Sequence, residues 1–246
     1  MAPNWSGVHA TLVGGLAAGS DAAATVLIWL RSMAADDLTC QTISLQDGNL
    51  RLLQARDAAE LPDDGGVEWA PLAPYWSVLW RSGLALGREV SRQCLAGFRI
   101  VELGCGMGVP SLAASRSGAA VLATDASPEA LELLSRNASR NGLDVDTAQV
   151  DWASPAGLIA RGPFDLVLAA DVLYERASVP QLLALLPQLA PRVLLADPGR
   201  PAADAFLAEA QNRWAVETKV SGAVNIHELG DQSRPGRAYD STVTRS

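Results

Sequence analysis

The chain contains few of the residues that build metal sites, disulfide frameworks or phosphate-binding surfaces. Its 246 residues include 3 cysteines and 2 histidines, and Lys219 is the single lysine. No two cysteines form a Cys-x-x-Cys pair, so we expect neither a structural zinc site nor a disulfide framework. Such scarcity is typical of a reduced, cytoplasmic protein, and we expect no bound metal.

Basic charge and long apolar runs are also scarce. The formal net charge is -8, and the sequence shows no run of lysine and arginine. Nucleic-acid binding relies on basic side chains that neutralise phosphates, so we expect no nucleic-acid partner. The apolar run "AAATVLIWLRSM" is too short to span a bilayer before Arg31 and follows no basic segment. We therefore expect neither a signal peptide nor a membrane anchor.

The first 62 residues differ in pattern from the remainder of the chain. A helix is predicted over Ser20–Ala35, and two β-like runs flank "QDGN", which is typical of a hairpin. The segment "LPDDGG" at residues 61–66 then indicates a loop. We therefore divide the chain into an N-terminal helix and hairpin extension, residues 1–62, and a main domain, residues 63–246.

Strand and helix patterns alternate regularly in the main domain. The runs "FRIVEL", "AAVLATD", "DTAQVD", "FDLVLAAD" and "RVLLAD" predict strands, and amphipathic segments between them predict helices. The helix of "SPEALELLSRNASRNG" has Ser127 as its cap and Gly142 just past its end. The segment "PAADAFLAEAQNRW" predicts a further helix that runs through Trp214. Alternation of this kind requires crossover connections, which predicts an α/β class, Rossmann-like, doubly wound parallel sheet.

The stretch "IVELGCGMGVP" places Gly104, Gly106 and Gly108 directly after a predicted strand. A dinucleotide fingerprint needs its third glycine at position 109, where Val109 stands, and a phosphate loop needs a Gly-Lys-Ser/Thr sequence that is missing here. A plain flexible turn is the remaining structural alternative. These comparisons argue against a site that grips a pyrophosphate.

Asp125 ends the next predicted strand, about 20 residues after the glycines. An acidic side chain at that point accepts hydrogen bonds from both hydroxyls of a ribose. Bare glycine backbone lets a ligand approach closely. A nucleoside without phosphates that carries an amino-acid tail suits this combination, and S-adenosylmethionine is such a ligand.

Three stretches together resemble a known family. The segment 101–141, "VELGCGMGVPSLAASRSGAAVLATDASPEALELLSRNASRN", resembles the first motifs of class I S-adenosylmethionine-dependent methyltransferases. With "PYWSVLWRSGLALGREV" upstream and "AADVLYE" at the end of the fourth strand, the chain looks like the protein lysine methyltransferases and nicotinamide N-methyltransferase-like proteins often called methyltransferase family 16. The resemblance covers about residues 70–200 and implies a seven-stranded sheet with one antiparallel strand, from Val224–Leu229 or Tyr239–Thr244.

The resemblance also implies roles for individual residues. Trp80 corresponds to a cofactor-contacting tryptophan on the helix before the glycine turn, and we expect Trp76, four residues earlier, to share its helix face within the core. Glu102 would support the methionine ammonium, and Trp152 would stack on the adenine beside Asp151. The expected cofactor-binding set is Trp80, Glu102, Gly104, Cys105 (a small spacer in the turn), Gly106, Gly108, Asp125, Ala126, Asp151, Trp152 and Ala170.

Asp171 and Tyr174 match the "DxxY" element of the family and are the expected catalytic residues. We expect Asp171 to orient an incoming amine, or else to support the cofactor, and Tyr174 to shape a partly dry slot that frees the lone pair of that amine. The segment "ADPGRPAA" after the fifth strand is expected to line the acceptor side. The predicted function is methyl transfer to a nitrogen, with a protein lysine as the first candidate acceptor. A small-molecule, nicotinamide-like N-methyltransferase, a non-catalytic cofactor-binding module and a dehydrogenase are the alternatives.

Overall fold

A computed structural model describes residues 38–56 and 75–233 of the chain. The predicted helix at residues 20–35, the loop at 61–66 and the alternative strand at 239–244 lie outside these residues. The proposed division into an extension and a main domain stays a prediction.

A seven-stranded sheet forms the centre of the main domain. Its strand order is β5-β4-β3-β6-β7-β9-β8, and β9 runs antiparallel to both β7 and β8, whereas the other neighbours are parallel. The predicted mixed sheet with one antiparallel strand is therefore confirmed, and that strand comes from the first of the two candidate segments. The strands are β3 (Arg99–Leu103), β4 (Ala120–Asp125), β5 (Asp146–Gln149), β6 (Leu166–Ala170), β7 (Arg192–Asp197), β8 (Trp214–Ser221) and β9 (Val224–Asp231).

Helices cover both faces of the sheet, as the crossover connections require. One hydrophobic cluster packs α1, α2 and α3 against one face, and a second packs α4, α5 and α6 against the other. The central strand β6 is buried along Leu166, Val167, Leu168 and Ala169, which explains its apolar sequence without alternation. The helices are α1 (Arg81–Val90), α2 (Val109–Arg116), α3 (Pro128–Arg140), α4 (Ala156–Ile159), α5 (Ser178–Leu189) and α6 (Pro201–Ala210).

The predicted hairpin is present as β1 (Leu38–Leu45) and β2 (Gly48–Ala55) and packs on α3. Asn137 of α3 and Asn141, which directly follows this helix, bond the free edge of β2. Each side chain accepts from one backbone N–H and donates to the carbonyl of the same residue, Leu53 and Arg51 respectively. A rise of about 6 Å over four helical residues nearly matches the roughly 6.6 Å between alternate strand residues. The two asparagines therefore satisfy backbone groups of β2 that a neighbouring strand would otherwise pair.

Two predicted element boundaries are wrong. The helix expected through Trp214 ends at Ala210, because Trp214 is the first residue of β8 and is buried in the core. Trp76 and Trp80 do not share a helix face, since Trp76 lies in a short 3₁₀ turn, Tyr75–Ser77, and Trp80 is the extended residue that precedes α1. In both cases the apolar residues keep a helix-like spacing although the backbone leaves the helix, so the spacing predicts a helix that is too long. The Ser127 cap and the Gly142 terminus of α3 are confirmed.

Candidate functional site

The glycine turn lies at the carboxyl end of β3, where the strand order changes direction between β4 and β6. Open α/β sheets bind their ligands at such a switch point. Gly104, Gly106 and Gly108 have φ values of 63°, 46° and 67°, in the left-handed region that favours glycine. The alternating glycines are therefore required by backbone conformation.

Packing adds a second reason for two of these glycines. A Cβ on Gly106 would stand 2.9 Å from the carbonyl oxygen of Trp76, and one on Gly108 would stand 2.2 Å from Cδ1 of Leu134 in α3. A Cβ on Gly104 would meet Cγ1 of Val172 at 3.2 Å and Cζ2 of Trp152 at 3.5 Å. The structure thus brings Trp152 to the turn, beside bare backbone.

Asp125 links β4 to the glycine turn. Its Oδ2 accepts a hydrogen bond from the Gly106 N–H at 2.9 Å, and its Oδ1 accepts one from the Ser127 N–H at 2.9 Å. Burial is the largest effect on this carboxyl and raises its pKa, against the hydrogen bonds that lower it. A carboxylate offers about four acceptor sites, so Asp125 keeps acceptor capacity for a ligand hydroxyl. Asp125 can hold the turn and still bind a ribose.

Glu102 is buried on β3 and bonds the first turn of α2. Its Oε2 accepts from the Ser111 N–H at 2.9 Å and from the Ser111 hydroxyl. Burial raises the pKa of Glu102 to about 8, with the Ser111 bonds opposing the shift. In a dinucleotide site the free N–H groups of this helix end hold the pyrophosphate. Here Glu102 already occupies one of them.

Acidic groups dominate the electrostatics around the turn. Burial raises the pKa of the Cys105 thiol well above its usual value, and the nearby Asp125 and Glu102 carboxyls raise it further. Glu129 adds to the same negative environment at Asp125. The Cys105 thiol therefore stays protonated, consistent with a spacer role. A cluster of carboxyls favours a cationic ligand over a phosphate-bearing one.

The other predicted cofactor residues lie at the ends of strands and in loops. Ala126 directly follows β4 and is exposed, and Ala170 is the last residue of β6 and is half-buried. Asp151 is exposed, and its Oδ1 accepts from the Ala153 N–H at 2.8 Å, which fixes the loop that carries Trp152. The ring of Trp80 stacks on Tyr75, and its indole N–H donates to the Tyr75 carbonyl at 3.1 Å.

Asp171 directly follows β6 and lies beside β7. Its backbone adopts φ 57°, rare for a residue with a side chain, and its N–H donates to the Ala196 carbonyl of β7 at 3.0 Å. Its Oδ1 forms an ion pair with Nη2 of Arg200 at 2.8 Å. Sequence reasoning missed this partner, although the segment "ADPGRPAA" that contains Arg200 was expected on the acceptor side.

Tyr174 lies three residues after Asp171 and is 47% exposed. Desolvation, followed by the negative charges of Glu175 and Asp125, raises the pKa of its phenol to about 12. Nearly half of the residue is in solvent, so burial raises its pKa less than full burial would. The phenol is protonated at neutral pH, because its ordinary pKa is already 10.0.

Comparisons with known proteins show which family the chain resembles. Residues 75–210 match the profile of the lysine methyltransferase family. The chain is 34% identical over 142 residues to the electron transfer flavoprotein beta subunit lysine methyltransferase of Xenopus laevis, covering 54% of this chain and 55% of that one. It is 33% identical over 152 residues to protein N-lysine methyltransferase METTL21A of Danio rerio, covering 57% and 69%.

Solved structures share the fold. The Pyrococcus abyssi tRNA (uracil-54, C5)-methyltransferase, in complex with S-adenosyl-L-homocysteine, superposes with a TM-score of 0.52 at 15% identity, covering 77% of this chain and 44% of that one. The present chain spans about half the length of the Xenopus relative. Within residues 38–56 and 75–233, each helix is too short or too polar to cross a bilayer.

Proposed function

The chain belongs to the lysine methyltransferase family, and we propose from this that it transfers a methyl group from S-adenosylmethionine to a protein lysine side chain. The family match confirms the resemblance that the sequence motifs indicated. The observation that supports the activity is local: a positive-φ glycine turn surrounded by carboxyl groups, with Asp171 and Tyr174 on the neighbouring strand end.

The residues at the switch point fit the family's cofactor. S-adenosylmethionine carries a sulfonium and an ammonium, and Asp125 and Glu129 give the turn a negative environment. We propose that the free acceptor sites of Asp125 bind the ribose hydroxyls, that Trp152 stacks on the adenine and that Glu102 supports the ammonium. The Ser111 N–H already donates to Glu102, so it is not free to bind the pyrophosphate of a dinucleotide.

The chemistry requires little covalent participation by the protein. When bound, S-adenosylmethionine supplies a methyl group that passes to the lone pair of a deprotonated amine and leaves its bonding electron pair on sulfur. A lysine amine has a reference pKa of about 10.4, so it must lose a proton before transfer. The protein's contribution is to bind the amine, hold its nitrogen in line and provide a partly dry environment. We assign the orienting role to Asp171 and the wall of the slot to Tyr174.

The decisive experiment is a transfer assay with labelled S-adenosylmethionine. The purified chain is incubated separately with electron transfer flavoprotein beta subunit, with a lysate from cells lacking the enzyme and with nicotinamide, and the products are mapped by mass spectrometry. We expect label on protein lysines. Label on nicotinamide would identify a small-molecule enzyme instead, and binding of the cofactor without label on any acceptor would identify a non-catalytic binding module.

A further inference from the structure

Three charged residues form a cluster at the carboxyl ends of β6 and β7, beside the proposed acceptor slot. Arg200 pairs with Asp171 at 2.8 Å between Nη2 and Oδ1, and its Nε lies 4.0 Å from Oδ2 of Asp197. The side chains of Asp171, Asp197 and Arg200 are 9%, 1% and 23% exposed. Strand pairing of Ala170 with Ala196 fixes the two aspartates side by side.

One contact in this cluster is incomplete. Oδ1 of Asp197 accepts from the backbone N–H groups of Gly199 and Arg200, each at 2.7 Å, which fixes the start of α6. Oδ2 of Asp197 and Nε of Arg200 are buried and have no hydrogen-bond partner within the described part of the chain. A buried donor and a buried acceptor left unpaired are both unfavourable. At 4.0 Å, a small rotation of the guanidinium would join them.

We propose that Arg200 is a positioning residue that exchanges carboxylates when the methyl acceptor enters. Without acceptor, Arg200 pairs with Asp171 and blocks it. When a cationic primary amine reaches Asp171, the guanidinium turns to Asp197 and satisfies both unpaired atoms. The inference rests on the proposed function in one respect, that the acceptor of this site is an amine.

The charges of the cluster select the acceptor class. Two carboxylates and one guanidinium leave one negative charge in a largely buried site. A protonated amine supplies the missing positive charge, so that after the exchange each carboxylate has a cationic partner of its own. A neutral ring nitrogen, as in nicotinamide, offers no charge to Asp171 and would leave the Arg200–Asp171 pair intact. The cluster therefore favours an ammonium-bearing acceptor such as a lysine side chain.

Arginine also suits the exchange better than lysine would. Its planar guanidinium presents five N–H donors in a fixed fork, so one side chain can face two carboxylates at once. The backbone of Arg200 is held at the start of α6 by Asp197, whichever carboxylate the side chain contacts. Only the side chain has to move, which keeps the loop after β7 in place during the exchange.

The exchange can be tested without turnover by nitrogen-15 NMR of the arginine Nε–H groups. The Arg200 signal is assigned by its loss in Arg200→Lys. We expect n-butylammonium chloride, titrated into the full chain, to shift both the Arg200 Nε–H signal and the Asp171 amide signal. n-Butanol, a neutral molecule of similar shape, should shift neither.

Asp197→Asn is the variant that blocks the second position of Arg200. The asparagine oxygen keeps the bonds to Gly199 and Arg200, but its amide nitrogen cannot accept from the guanidinium. We expect n-butylammonium to bind at least about 10-fold more weakly, as loss of a hydrogen bond to a charged group predicts, with unchanged affinity for S-adenosylmethionine. In turnover assays the KM for the amine should rise while kcat changes less.

Arg213→Gln is the matched control. Arg213 pairs with Asp231 at 2.9 Å, an arginine–aspartate pair of the same kind at the end of the antiparallel strand β9. Its loss should leave the n-butylammonium titration of Arg200 unchanged. Three results would overturn the exchange. The first is a response to n-butylammonium at the Asp171 amide without one at the Arg200 Nε–H. The others are wild-type n-butylammonium binding by Asp197→Asn and no response at either signal.

The two proposals fail in different ways. Exchange at Arg200 without methyl transfer to any amine would overturn the proposed function and leave the exchange intact. Methyl transfer to protein lysine with an unresponsive Arg200 signal would keep the function and reject the exchange.

Discussion

At the scale of single residues, the proposed site uses side chains that have a structural role and are also assigned a ligand role. Asp125 holds the Gly106 N–H and retains acceptor sites for a ribose. Asp171 adopts a rare backbone conformation and is paired with Arg200. Strained residues are concentrated at functional sites, so the positive φ of Asp171 supports its assignment to the acceptor.

Replacing Asp125 should weaken cofactor binding. Asp125→Ala removes the proposed acceptor of the ribose hydroxyls, and we expect the Kd for S-adenosylmethionine to rise about 10- to 100-fold, the effect of one or two hydrogen bonds to a charged group. Calorimetry measures it. Asp125→Asn is the matched variant, since it keeps an oxygen for one of the two backbone donors. Wild-type affinity in Asp125→Ala would remove this residue from the ribose site.

Replacing Asp171 should separate turnover from cofactor binding. Asp171→Ala removes the group that orients the amine, and the loss of a catalytic side chain of this kind is expected to lower the rate about 100-fold or more. The Kd for S-adenosylmethionine should stay near the wild-type value, as calorimetry can show. Full turnover in the variant would contradict the orienting role, and a large loss of cofactor affinity would reassign Asp171 to cofactor support.

At the scale of elements, two side chains bind neighbouring elements together through backbone groups. Glu102 joins β3 to the first turn of α2, and Asn137 joins α3 to the edge of β2. Both contacts satisfy N–H groups that helix ends and sheet edges leave unpaired. They position the glycine turn and the hairpin, and each predicts a stability effect.

Glu102 should make stability depend on pH. Its folded-state pKa of about 8 lies above the ordinary value of 4.5, so the folded protein binds more protons than the unfolded chain between these values. Stability therefore falls as the pH rises through this window, by at most about 1.4 kcal/mol per pH unit from this group. We expect Glu102→Gln, which resembles the protonated acid, to flatten the fall in urea-unfolding free energy between mildly acidic and mildly basic pH. An unchanged slope would contradict the assignment.

Asn137 should contribute more stability than Asn141. Both make the same pair of bonds to β2, but the Asn137 side chain is fully buried, whereas the Asn141 pair is at the exposed end. Asn137→Ala leaves the N–H and carbonyl of Leu53 without partners, at a cost of about 2 to 3 kcal/mol. Asn141→Ala exposes its partners to water, so we expect less than about 1 kcal/mol. Equal losses in urea unfolding would show that burial does not separate the two sites.

At the scale of the whole molecule, negative charge is arranged to suit a cationic cofactor and a cationic acceptor. The formal net charge is -8, and carboxyl groups also lie close together at the glycine turn and at the end of β7. A basic protein substrate would be attracted to such a surface, although net charge alone says little about one groove. The same distribution opposes a phosphate-bearing ligand.

Ligand-dependent thermal stability should separate the ligand classes. A ligand that binds the folded state stabilises it by about 2.7 kcal/mol at a concentration 100 times its Kd. We expect S-adenosylmethionine and S-adenosylhomocysteine to raise the Tm in a concentration-dependent way. NAD should have no effect, because it would place a pyrophosphate beside Glu102 and Asp125. A shift with NAD and none with S-adenosylmethionine would contradict the cofactor assignment.

The sequence by itself determined the sheet class, the cofactor turn and the family. These follow from local rules: alternating strand and helix patterns, glycines where φ is positive, and acidic residues at strand ends. Asp125 and the glycines were predictable because their roles depend on their place along the chain. Their contact with a ligand remains a prediction.

Only the tertiary structure decided which side chains meet. Asp171 and Arg200 are 29 residues apart, and Ser111 reaches Glu102 across a turn, so no spacing rule links them. Trp76 and Trp80 were misassigned to one helix face, because local periodicity does not register the change of backbone direction before α1. Parallel strands bring their carboxyl ends together from distant segments, and that juxtaposition forms the charged cluster at the proposed acceptor site.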